Sequence, residues 1–124
     1  MLKNVGEKWI YTTLIISFIG LLLFEATLPP IIGNKVIPNL DKLAHFTAFG
    51  LLAFFIIKAF LPSNKRVCWL SITLICLIAI GVSIADEVIQ SFTAGRDADV
   101  KDIIAGFLGA FVISLGVKLR RKNQ

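Results

Sequence analysis

Three short polar patterns interrupt an otherwise strongly apolar chain: Asp41-Lys42-x-x-His45, Asp86-Glu87-x-x-Gln90, and Arg96-Asp97-x-Asp99-x-x-Asp102. Residues three or four apart share one face of a helix. Asp41 therefore stands one turn from His45, where a carboxylate can orient an imidazole for proton transfer. Glu87 and Gln90 fall together as the pair best spaced to contact a ligand, with Asp86 above the adjoining face. Asp99 and Asp102 fall together if a helix has begun by then, and Arg96 offers a guanidinium fork of the kind that grips phosphate or carboxylate bidentately. The chemistry these residue types suit is acid–base work on an anionic ligand. His45, Glu87 and Asp41 are the candidate catalytic residues, and Lys42, Gln90, Arg96, Asp99 and Asp102 the candidate substrate-binding residues. One histidine and two cysteines, without CxxC or HExxH, give no zinc signature of the usual kind. No metal or cofactor is assigned on that basis, although Glu87, Asp99 and Asp102 would suit a hard divalent cation.

The elements that must position these groups are membrane helices. The chain has 124 residues, 56% of them hydrophobic, and a mean hydropathy of +0.83, above the roughly 45 to 50% apolar content of soluble proteins. Four apolar stretches account for the excess: Trp9 to Leu28, Leu43 to Leu61, Val67 to Ile89, and Ile103 to Val117. About 20 helical residues cross a hydrocarbon core roughly 30 Å thick, so the first three are comfortable spans and the fourth needs its flanking residues. The pattern predicts one all-α domain over 1–124, a four-helix transmembrane bundle with helices over about 9–28, 42–61, 67–90 and 100–118. The first run is long for a secretory signal core and lacks a clean small-x-small cleavage site after Phe24, which favours a retained helix. Cys68 and Cys76 sit two turns apart on one predicted helix, about 12 Å of rise, too far to bridge each other. They read as packing residues.

Charge sets the orientation. Lys3, Lys8, Lys58, Lys65, Arg66, Lys118, Arg120, Arg121 and Lys122 gather at the end shared by the termini and the middle loop, against Lys35, Lys42, Arg96 and Lys101 opposite. The positive-inside rule then predicts that both termini are cytoplasmic, with Trp9 and Trp69 at the cytoplasmic interface. The net charge of +5 is explained by these flanks rather than by an aromatic-interleaved patch, so nucleic acid is excluded as a partner. Conversely, Glu25, Asp41, Asp86, Glu87, Asp97, Asp99 and Asp102 all fall toward the outer end. Asp86 and Glu87 lie roughly 28 to 30 Å along a helix begun at Val67, at the outer edge of the hydrocarbon. Carboxylates there must pair with Lys42, Arg96, Lys101 or His45, or hold a proton. An ion-pair lattice closing the bundle would explain part of this pattern. It has no use for the surplus of acids over bases.

Turn chemistry completes the layout. Pro29-Pro30 stops helix 1, and an external loop runs through Gly33, Asn34, Lys35 and Pro38. Asn39 or Asp41 can cap helix 2, and Asp99 or Asp102 can cap helix 4. Pro62-Ser63-Asn64 closes a short basic turn that makes helices 2 and 3 antiparallel neighbours. Thr93-Ala94-Gly95 breaks helix 3. Ala105, Gly106, Gly109 and Ala110 form overlapping small-x-x-x-small pairs that let helix 4 approach a neighbour closely. Glu25, one turn before Pro29, can simply reach the headgroup region, and the phenylalanines from Phe46 to Phe60 read as core or lipid-facing filler.

Taken in order, Asp41-Lys42-Leu43-Ala44-His45-Phe46, Glu87-Val88-Ile89-Gln90-Ser91-Phe92, Arg96 through Asp99 to Asp102, and Gly109 resemble the VanZ-like family of small bacterial membrane proteins, named for a protein of teicoplanin resistance. The resemblance covers about residues 40 to 110. It implies a multi-pass protein of the bacterial inner membrane working on or near the envelope, and it supplies no reaction. One departure stands out: the family often carries asparagine three residues before the final glycine, where this chain has Gly106.

Three functions compete on these residues. The first is a membrane enzyme or binding protein acting at the outer leaflet on a lipid-linked anionic substrate, such as a polyprenyl-phosphate wall precursor, with glycopeptide tolerance as the phenotype. The second is a non-catalytic membrane protein that occludes glycopeptide or docks a partner through a structural ion-pair network. The third, a proton-coupled transporter, suits intramembrane carboxylates in general, but these gather at one face rather than along a path.

Overall fold

A computed structural model describes residues 2–30 and 37–122, with side chains from Val5 onward in the first segment. Four α-helices make up the fold: α1 (Leu2–Ala26), α2 (Leu40–Phe60), α3 (Trp69–Ser91) and α4 (Val100–Lys122). All four are long and apolar enough to cross a membrane, and no strand occurs among the described residues. The loop expected through Gly33, Asn34 and Lys35 lies outside them.

The helices overrun the apolar stretches at the charged ends, because a helix needs hydrogen-bonding continuity rather than hydrophobicity. Helix α1 starts seven residues before Trp9, and α4 runs on through Arg120, Arg121 and Lys122, cations that the carbonyl end of a helix favours. These basic residues also tie the bundle together. The Arg121 guanidinium donates to the carbonyls of Leu61, Pro62 and Lys65 at the end of α2 and in the following turn. The Lys118 Nζ donates to the Val67 carbonyl and lies 4.6 Å from the centre of the Trp69 ring. Lys8 of α1 stands over the Phe60 ring. The start of α1, the α2–α3 turn and the end of α4 thus share one end of an up-and-down bundle.

Packing inverts the pattern of a soluble bundle. Val100, Ile104, Leu108 and Val112 make an exposed stripe four residues apart on α4, while Ser83, Asp86, Glu87, Gln90, Asp102 and Ser114 are buried. Apolar side chains outward and polar ones inward is the arrangement a hydrocarbon solvent rewards. The apolar core joins Phe49, Leu52, Ala53, Ile56 and Ile57 of α2 with Ile75 and Ala79 of α3 and Ala110 of α4. Helix α1 lies at the periphery, seated by Phe18 edge-on to Phe55 at 5.9 Å.

The closest pair of helices is α2 with α4, and among the pairs that touch α2 with α3 is the slightest. The short turn does make α2 and α3 antiparallel neighbours, but their contact is much smaller than that of α2 with α4. Glycine decides the matter. A Cβ on Gly109 would overlap the Phe46 carbonyl oxygen, one on Gly106 would come within 2.9 Å of the Phe49 ring, and one on Gly50 would come within 3.1 Å of Ile113. Only glycine permits that approach, and two of the four small residues expected to face a neighbour create it.

Candidate functional site

Helices α2, α3 and α4 bring their polar residues to one point at the end of the bundle away from the basic turn. Asp41, Lys42 and His45 come from the first turns of α2, Asp86, Glu87 and Gln90 from the last turns of α3, and Asp99 and Asp102 from the start of α4. Three of these acids are almost inaccessible: Asp86 is 3% exposed, Glu87 4% and Asp102 3%.

His45 is the centre. Its Nδ1 lies 3.0 Å from the Asp41 carbonyl oxygen, an acceptor only, so Nδ1 carries the hydrogen and Nε2 faces the acids. Nε2 lies 3.1 Å from Asp86 Oδ2 and 3.3 Å from Glu87 Oε1. The ring is stacked against Phe49, 16° from coplanar and 5.9 Å between centres. The imidazole is therefore oriented by the Asp41 backbone carbonyl, a group any residue there would supply, and not by the Asp41 carboxylate that the spacing suggested, which pairs with Lys42.

Gln90 Nε2 donates to Asp86 Oδ2 at 2.9 Å, so its partner is the acid four residues back, not Glu87. Asp86 itself was not among the residues expected in the site. Its signal was the four-residue spacing to Gln90, which competes with the three-residue spacing of Glu87 to Gln90. Glu87 turns to the next element: its Oε2 accepts the Asp99 backbone N–H at 2.8 Å.

Lys42 bridges three carboxylates, with Nζ 3.2 Å from Asp41, 3.1 Å from Asp99 and 3.4 Å from Asp102. Asp99 is the cap of α4, its Oδ1 accepting the Lys101 N–H at 2.9 Å. That amide, followed by the Lys42 ammonium, holds the Asp99 carboxyl below the usual carboxylate range. Asn39 occupies the cap position of α2 in a left-handed conformation, φ 63°, but its side chain makes no capping bond. One ligand atom each from His45, Glu87 and Asp102 lies within 4.8 Å of the others. His45 thus stands in this group where Asp99 was expected.

Arg96 sits elsewhere. Its Nε donates to the Leu28 carbonyl at 2.8 Å, a terminal nitrogen donates to the Glu25 carbonyl, and the same nitrogen pairs with the Glu25 carboxylate. Thr93 adds a hydroxyl donor to the Ala26 carbonyl at 2.7 Å. Together they cap the end of α1, which Pro29-Pro30 leaves without further amide donors. Asp97 is exposed.

A family model described as VanZ/LLP1 matches residues 3–121, nearly the whole chain. An uncharacterized protein of Schizosaccharomyces pombe is 33% identical over 107 residues, which cover 86% of this chain and 58% of that protein. The chain therefore spans little more than half the length of that relative. No solved structure matches.

Proposed function

The chain belongs to the VanZ/LLP1 family, and from that membership we propose that it handles a lipid-linked, phosphate-bearing amphiphile at the outer surface of a bacterial envelope membrane, with glycopeptide tolerance as one consequence. The observation that carries this reading is the meeting of a tautomer-fixed histidine with buried carboxylates from two other helices at one end of a membrane bundle. Such groups are costly near hydrocarbon and are kept where they act.

The roles follow from position. His45 Nε2 is the proton donor or acceptor, with Asp86 and Glu87 in reach to take or return a proton. Lys42, about a quarter exposed at 26%, is the cation at the rim where a phosphate oxygen could meet it. Gln90 holds Asp86 in place. Arg96 belongs to the end of α1 in this scheme and not to the phosphate.

The test is teicoplanin susceptibility and lipid-precursor content of a deletion strain complemented with wild type, His45→Ala or Glu87→Ala, with membrane levels matched. Loss of rescue by both variants is expected. Equal rescue by all three would leave the cluster as an ion-pair network, the reading that Lys42's three carboxylate contacts favour.

A further inference from the structure

The cluster's charges do not close. Asp41, Asp86, Glu87, Asp99 and Asp102 share one lysine and one histidine, and Lys42 is already spread over three of them. Three carboxylate oxygens, Asp86 Oδ1, Glu87 Oε1 and Asp102 Oδ1, are buried and accept no hydrogen bond among the described residues. A buried carboxylate oxygen without a hydrogen-bond donor forfeits its hydration. Two of the three have a longer contact to a nitrogen, Glu87 Oε1 to His45 Nε2 at 3.3 Å and Asp102 Oδ1 to Lys42 Nζ at 3.4 Å, and Asp86 Oδ1 has none among the described residues.

The histidine sharpens the point. With Nδ1–H committed to the Asp41 carbonyl, a neutral imidazole turns the bare Nε2 lone pair toward oxygens of Asp86 and Glu87 at 3.1 and 3.3 Å. Lone pair against carboxylate repels unless a proton or a metal cation lies between them, and at 3.1 Å the Asp86 contact is short enough for a proton to bridge. A histidine that donates one ring N–H to a backbone carbonyl and turns the other nitrogen toward carboxylates is also set up as metal ligands usually are.

We propose that His45 Nε2, Glu87 and Asp102 bind one divalent transition-metal cation, of which zinc is the best match, at the meeting point of α2, α3 and α4. One imidazole with two carboxylates selects this class: imidazole disfavours magnesium and calcium, and zinc accepts nitrogen and oxygen together. Tetrahedral ligation with bonds of about 2.1 Å puts ligand atoms roughly 3.4 Å apart. His45 Nε2 and Glu87 Oε1 already stand 3.3 Å apart, and all three atoms lie within 4.8 Å. Asp86 and the Asp41 carbonyl then act as positioning groups. Lys42 keeps Asp41 and Asp99 and would give up its longer contact to Asp102 at 3.4 Å. Three protein ligands leave a coordination position free for water or a ligand oxygen, as catalytic zinc sites do. This site goes beyond the lipid reading and stands without it, and when occupied it makes His45 Nε2 and Glu87 ligands in place of the acid–base roles given to them above.

The test is a zinc titration of untagged protein in detergent after chelator dialysis, read by calorimetry and by the thermal midpoint, with no lipid added. Expected is one saturable equivalent and a zinc-dependent rise in the midpoint. Glu87→Gln and Asp102→Asn, close in shape to the native residues, should each weaken binding at least tenfold and remove that rise, while the exposed Asp97→Asn behaves as wild type. A zinc-free midpoint for the two variants at or above that of wild type identifies the loss as one of ligation and not of folding. Cobalt provides a second readout, since tetrahedral nitrogen and oxygen ligation gives visible absorption that the variants should lack. No saturable binding of zinc, cobalt or manganese by wild type up to about millimolar, or binding unchanged in both variants, overturns the proposal. Either result leaves the lipid reading to its own genetic test.

Discussion

Phe49 couples the imidazole to the glycine across from it. Its ring is stacked on His45 at 5.9 Å, and a Cβ on Gly106 would come within 2.9 Å of the same ring. The Phe49 ring fills the space that a side chain at Gly106 would need. Gly106→Asn should therefore cost about 1 to 3 kcal/mol by overpacking, and Gly106→Asn with Phe49→Leu should recover part of it. Denaturation of the two variants in detergent reads this coupling, and simple additivity would mean the ring yields freely. Asp99 gives a second expectation. Its carboxyl lies below the usual range because it accepts the Lys101 N–H and pairs with Lys42. A lowered folded-state value stabilises the fold above the ordinary carboxylate range and is lost as pH falls through that lowered value. The wild-type midpoint should fall as pH drops below the ordinary carboxylate range. Asp99→Asn, which keeps a capping oxygen but loses the charge, should show less of that fall, and an identical pH profile would remove the ion pair from the account. At this scale the sequence was partly legible. Spacing marked His45, Glu87 and Asp102, but three-residue and four-residue spacings both mean one helix face. Whether Gln90 served Asp86 or Glu87 turned on the rotation of α3, which packing sets.

Helix α2 meets α4 along a seam that glycine alone permits, and the seam holds His45 and Asp102 at facing positions. Gly109→Ala puts a methyl group into the Phe46 carbonyl, backbone that cannot swing aside. We expect it to cost upward of about 1 to 3 kcal/mol and to part the two helices, weakening zinc binding as well. Gly81→Ala is the control: nothing lies within 4 Å of a Cβ there, and removing a helix-interior glycine should be neutral or stabilise by about 0.4 to 1 kcal/mol. Equal midpoints for the two variants would contradict the seam. Arg96 makes the opposite kind of prediction. Because its partners are the Glu25 side chain and the last carbonyls of α1, Arg96→Ala should lower the midpoint by a few degrees and leave zinc affinity unchanged. A specific loss of ligand binding at normal stability would return it to the site. The small-residue motif was readable in α4, but its partner was not. Short turns favour sequence neighbours, and the depth to which Phe46 and Gly50 admit α4 is a three-dimensional property of two helices.

Over the whole molecule, one end is basic and the other holds the buried acids, and function depends on which end faces out. The sequence resemblance rests on residues 40 to 110, whereas the family match runs over 3–121, so α1 belongs to the family architecture although it carries none of the polar patterns. Lys8, Lys58, Lys65, Arg66, Lys118, Arg120, Arg121 and Lys122 mark the basic end, and the positive-inside rule predicts that it faces the cytoplasm. Cys68 lets this be tested without engineering. It is exposed at the start of α3, in the basic end, and Cys76 is buried within the bundle. The Ser71 hydroxyl, 3.1 Å from Cys68 Sγ, lowers the thiol's ordinary value. That favours the reactive thiolate. A membrane-impermeant maleimide should label Cys68 in inverted vesicles and not in intact cells, with Cys68→Ser abolishing the signal. Labelling of intact cells instead would turn the acids and His45 toward the cytoplasm. A lipid-linked substrate of the outer leaflet could then not reach them, while the zinc site, which depends on no orientation, would still hold.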